Sequence, residues 1–123
     1  MKQKFFKLYK TKKPIIAMVH FPALPGTPLY DEKKGLDFIL NSINSDLKNL
    51  QNAGVDAVMF GNENDRPYEL NVNKASLSTM AFMIGRVKDK LKIPFGVNVL
   101  WDPISTIALA ASTNAHFVRE IFS

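Results

Sequence analysis

With 123 residues, 46% of them hydrophobic and 22% charged, the chain is large enough to bury one core and too small for two, and its balance excludes disorder along its whole length. The absence of cysteine excludes disulfides and any thiolate nucleophile or metal ligand. The formal charge of +5 is local, because Lys2, Lys4, Lys7, Lys10, Lys12 and Lys13 all precede the first apolar run, and no stretch approaches the ~20 apolar residues that a bilayer span needs.

The whole chain, 1–123, reads as a single domain with a basic lead-in at 1–13. That segment lacks the unbroken apolar centre of a secretory signal, so a cytoplasmic location is expected. It reads as a solvated, amphipathic approach to the domain, with contact to an anionic membrane surface as the alternative. Without the aromatic signature of RNA-binding modules, no nucleic acid is expected as a partner. Phe5, Phe6, Leu8 and Tyr9 suggest a short helix packed beneath the sheet.

The first strand is expected at Ile15–Val19. A helix follows with Leu36, Ile39, Leu40, Ile43, Leu47 and Leu50 on one face, stopped by Gly54. A second strand runs from Val55 to Phe60. The next helical pattern covers about Asn73 to Lys90, with Leu77, Met80, Ala81, Ile84, Val87 and Leu91 at three- and four-residue spacing. Phe95–Leu100 forms the third strand. A third helix begins after Asp102, the N-cap, with Pro103 at its first position, and ends near Asn114. His116–Ile121 is the last strand. Strands apolar on both faces and separated by helices define a parallel α/β architecture of four strands.

In such folds the loops leaving the carboxyl ends of the strands gather on one side and hold the site. They carry His20 from the first strand, Asn62, Glu63 and Asp65 from the second, Asn98 and Asp102 from the third, and Arg119 and Glu120 from the fourth. Period-two alternation puts Gly96, Asn98 and Leu100 on one face and Phe95, Val97 and Val99 on the other. Asn98 is expected to meet a ligand or polar strand-end groups; the alternative is satisfaction by nearby backbone. His20 opens a loop stiffened by Pro22, Pro25 and Pro28 and is the candidate acid or base. Glu63 is a second candidate proton carrier, and with Asp65 it could supply carboxylates to a magnesium ion. Asn62 and Asn98 are candidates to orient a ligand, and Arg119 to neutralise an anion. The blander alternatives stay open: Asp65 pairing with Arg66, Arg119 bridging to Glu63 or Glu120, and Asp102 as a cap and nothing more. No Gly-rich phosphate loop of either common pattern occurs, and the sequence specifies neither a cofactor nor a metal.

Four ordered segments, "IIAMVHFPALPGTPLYD" (15–31), "GVDAVMFGNENDRPY" (54–68), "IPFGVNVLWDP" (93–103) and "AHFVREIF" (115–122), closely resemble the BtpA/SgcQ family. The "NVLWDP" and "VREIF" segments look most like the SgcQ branch. The resemblance implies a TIM-type barrel of the ribulose-phosphate-binding kind, in which this chain matches the N-terminal half, since the eight-stranded fold needs about twice this length. It further implies a metabolic enzyme acting on or binding a small phosphorylated metabolite of sugar or nucleotide type. The alternatives are a non-enzymatic factor in membrane biogenesis or photosystem assembly, and a truncated product without activity of its own. Four strands leave two unpaired edges, so a homo-oligomer or a complementary half-barrel is expected as partner.

Overall fold

The computed structural model describes residues 11–120. The helix expected within residues 5–9 and the end of the last apolar run lie outside the described residues.

Local chemistry sets most of the element boundaries. Strand β1 (Ile16–His20) leads through the proline loop into helix α1 (Gly35–Asn52), which buries Ile39, Ile43 and Leu47 at four-residue spacing. Leu36, expected on that stripe, lies in the first turn and is exposed. Gly54, with φ of +83°, ends the helix: its amide donates to the Gln51 carbonyl, and the Val55 amide donates to the Leu50 carbonyl. This pair of bonds satisfies carbonyls that the helix itself leaves open. Because Val55 belongs to that turn, β2 starts at Ala57 and runs to Gly61.

Asn73 caps α2 (Lys74–Val87) by accepting from the Ser76 amide. The helix stops three residues before the expected Lys90, since Lys88–Lys90 tighten into a 3₁₀ turn that carries the chain toward β3 (Phe95–Asn98). Asp102 and Pro103 start α3 (Pro103–Thr113) as the sequence indicates, and Asn114 ends it in the left-handed conformation at φ of +59°. Strand β4 is Phe117–Val118, shorter than expected. His116 already joins the ladder, its amide donating to the Phe95 carbonyl at 2.8 Å and its Nδ1 accepting from the Phe95 amide at 3.2 Å.

All four strands are parallel, in the order β1-β2-β3-β4, so among the described residues β1 and β4 each have one neighbour and one open edge. The helices cover one face. There Val19, Phe21, Val58, Phe60, Phe95, Val97 and Val99 pack against Ile39, Ile43, Met80, Ile84 and Leu109. Phe60 anchors this layer, stacked on Phe21 and edge-on to Phe95. The opposite face carries Met18, Met59, Gly96 and Phe117 in one rank. Gly96 is required by close approach, because any Cβ there would collide with the Phe117 ring.

Apolar side chains remain exposed on both edge strands, Ile16 on β1, just after the exposed Ile15, and Val118 on β4, and on α3, where Ile104 and Ile107 are 81% and 59% exposed. Among the described residues, no helix is long and apolar enough to cross a membrane.

Candidate functional site

The strand register decides which polar residues meet. His20 pairs with Gly61, and Gly61 with Asn98. One residue beyond β4, the Arg119 amide still donates to the Val97 carbonyl, which continues the ladder and sets Arg119 beside Asn98. His20, Gly61, Asn98 and Arg119 thus form one rank across the carboxyl ends, on the face away from the helices. They are drawn from 100 positions of sequence by three crossover connections running the same way.

Members of the rank differ in accessibility. The side chains of His20 and Arg119 are exposed, whereas Asn98 is 1% exposed and donates from Nδ2 to the Arg119 carbonyl oxygen at 2.6 Å. Asn98 thus lies on the inward face, and its side-chain partner is backbone. Between His20 and Asn98, Gly61 contributes no side chain. A Cβ there would make only ordinary contacts, 3.5 Å from Met18 Cε and 3.9 Å from Asn98 Oδ1. The glycine leaves a gap one strand wide in the middle of the rank.

Behind the rank, the other polar residues of the strand exits tie loop to loop. Asn62 is buried and accepts at Oδ1 from the Leu100 amide at 2.8 Å, joining the exits of β2 and β3. Asp65 is buried and accepts from the Leu24 amide at 2.8 Å, so it binds the first loop rather than Arg66. Asn64 donates to the Phe21 carbonyl and Asn73 to that of Gly26. Asp102 caps α3 through the Ser105 amide and hydroxyl and also accepts from the Val72 amide at 2.7 Å, a loop-to-loop brace in addition to a cap. Glu120 accepts from the Thr106 hydroxyl at 2.6 Å. Glu63 is half-buried, and its carbonyl oxygen accepts from the Tyr68 hydroxyl at 2.6 Å.

Burial raises both carboxyls, yet their net shifts are opposite. At Asp65, loss of water pushes the carboxyl above its ordinary range, and the bonds from Leu24, Asn62 and Thr27 only partly offset it. At Asp102 burial also raises, but the donors on Ser105 and Val72 together outweigh it and hold the group below the ordinary range. For Asp65 the sign follows directly. A carboxyl raised on folding holds more protons native than unfolded, so its contribution weakens stability as pH rises through that raised value. Asp65→Asn keeps an acceptor for Leu24 and removes the charge. Its melting temperature relative to the natural chain should therefore increase from about pH 4 to pH 7; a difference independent of pH would count against the burial argument.

Among the described residues, no three His, Cys, Asp or Glu side chains come together in a way that could hold a metal ion. A groove of about 540 Å³ lined by Asn44, Lys48, Gln51, Lys90 and Lys92 opens at the amino ends of the strands, away from the rank. Its polar walls bond each other, Lys90 to Asn44 and Gln51 to the Lys90 carbonyl and Lys92 amide. The rank at the carboxyl ends remains the better candidate. Two of its features escape a reading of residue types: the gap at Gly61, signalled only by a glycine ending an apolar strand, and the aromatic pair of Tyr68 and Trp101 on the neighbouring loops.

Comparison with known proteins agrees with this architecture. The BtpA family model matches residues 11–123. The chain is 48% identical over 113 residues to the sgc region protein SgcQ of Escherichia coli (strain K12), covering 92% of this chain and 42% of that protein. It is 39% identical over 108 residues to protein PH1209 of Pyrococcus horikoshii, covering 87% of this chain and 41% of that protein. To the photosystem I biogenesis protein BtpA of Synechocystis it is 28% identical over 116 residues, covering 93% of this chain and 40% of that protein. The chain thus spans about two fifths of the length of the curated relatives it matches. No solved structure matches it. The chain belongs to the BtpA family, whose fold is of the TIM-barrel type, and its four parallel strands make up half of such a barrel.

Proposed function

We propose that this half-barrel supplies one side of a mouth that binds a small phosphorylated metabolite, of sugar or nucleotide type. The observation that carries it is the rank His20–Gly61–Asn98–Arg119 at the carboxyl ends of parallel strands. The two exposed groups stand on β1 and just beyond β4, about 14 Å apart by strand spacing, and both side chains can reach inward over the gap at Gly61. Arg119 receives the phosphate through paired, charge-assisted hydrogen bonds. His20 serves as the acid–base group of the rank, with Glu63 as the second candidate. Asn98 is a positioning residue that holds the Arg119 backbone, and Asn62 keeps the exits of β2 and β3 in register behind it.

The proposal includes a companion. The two open edges among the described residues, and an inward face without an opposing layer, are completed by four further strands, whatever polypeptide supplies them.

Titration calorimetry with ribose 5-phosphate and uridine 5′-monophosphate tests the binding reading. Arg119→Ala should weaken binding by about tenfold or more, the range expected for a lost charge-assisted bond. Gly61→Val places branched carbon in the gap and should abolish binding while leaving the melting temperature within a few degrees, since the strand there has ordinary backbone angles. Equal affinity in both variants would remove the rank from consideration.

A further inference from the structure

The turn that leaves β3 holds a residue in a conformation its side chain disfavours. The Asp102 amide donates to the Val99 carbonyl at 3.1 Å, closing a tight turn whose third residue, Trp101, has φ of +66°. Glycine or asparagine is the usual occupant of that position, because a Cβ crowds the following carbonyl at a cost of about 1–2 kcal/mol. Neighbouring bonds prevent relaxation. Leu100 is fixed by Asn62 on one side, and Asp102 is fixed by Ser105 and Val72 on the other. Backbone strain held in place by its surroundings concentrates where a side chain has to be presented rather than packed.

Packing does not account for Trp101. The residue is 46% exposed, with an edge-to-face contact to Tyr68 at 5.6 Å between ring centroids. Tyr68 is fixed in turn by the bond from its hydroxyl to the Glu63 carbonyl. A rigid aromatic corner therefore stands on the rim, three residues beyond Asn98 and within about 10 Å of it along the chain.

We propose that Trp101 is the stacking platform for the ring of the ligand whose phosphate Arg119 receives, with Tyr68 setting the angle of the indole. This deepens the binding reading above and rests on it. The shared ligand chemistry is a phosphate joined to a ring with a flat face, either the C–H face of a sugar or the π face of a base.

The chain has a single tryptophan, so indole fluorescence reports on this position alone. Ribose 5-phosphate and uridine 5′-monophosphate should each change the emission, with the nucleotide larger if a base stacks and the two alike if the sugar does. Inorganic phosphate should bind without changing it. By calorimetry, Trp101→Gly should weaken the two ring compounds by about tenfold or more and leave inorganic phosphate within twofold. Its melting temperature should hold or rise, because glycine relieves the turn, which separates lost stacking from lost folding. Trp101→Phe should retain most of the affinity. If Trp101→Gly weakens phosphate and ring compounds equally, or neither, the platform is wrong while the phosphate site stands. If the natural chain binds none of the three probes, the site itself fails and the platform with it.

Discussion

Replacing Asp102 with alanine should lower the free energy of unfolding by about 2–4 kcal/mol, the sum of a lost N-cap and a Val72 amide left without its acceptor. For a domain of this size that corresponds to a fall in melting temperature on the order of 10 °C. The side chain is buried and meets three donors, two on Ser105 in the first turn of α3 and one on the loop after β2, so the damage extends beyond α3 to the join between the loops after β2 and β3. Its pH dependence has a definite sign. A carboxyl held below its ordinary range on folding contributes stability above about pH 4, and that contribution disappears as pH falls through the lowered native value. Denaturant titrations of the natural chain and Asp102→Ala should therefore be far apart at neutral pH and converge in acid. A loss below about 0.5 kcal/mol at neutral pH would show that the brace is dispensable.

The second large effect concerns association. Produced by themselves, residues 1–123, at 13.8 kDa, should sediment at micromolar concentration as a complex of at least two copies. Replacing Ile104 and Ile107 together with glutamate should weaken that association by about 100-fold or more, because charge would be buried against an apolar partner. Both positions are exposed in the single chain, and glutamate favours helix at least as well as isoleucine, so the fold itself should survive the change. A stable monomer of the natural chain, or unchanged association in the double variant, would place the companion elsewhere or remove it.

Much of the architecture was legible from the sequence because its signals are local. Gly54, the Asp102–Pro103 pair and Asn114 mark helix ends through groups within five residues, and each is found in that role. The convergence of His20, Asn98 and Arg119 followed from strand order, which crossover geometry constrains. What stayed hidden depends on distant partners. Nothing near Asn62 in the sequence shows that its oxygen accepts from the Leu100 amide, 38 positions away, and nothing near Asp65 shows that it accepts from the Leu24 amide, 41 positions before it.

The loop-to-loop ties also bear on how this rim can change over time or by engineering. The amides of Leu24, Val72 and Leu100 each depend on an acceptor carried by a different loop. New specificity grafted into one loop therefore arrives with an obligation to its neighbours, and loops of this rim are exchangeable as sets rather than one at a time.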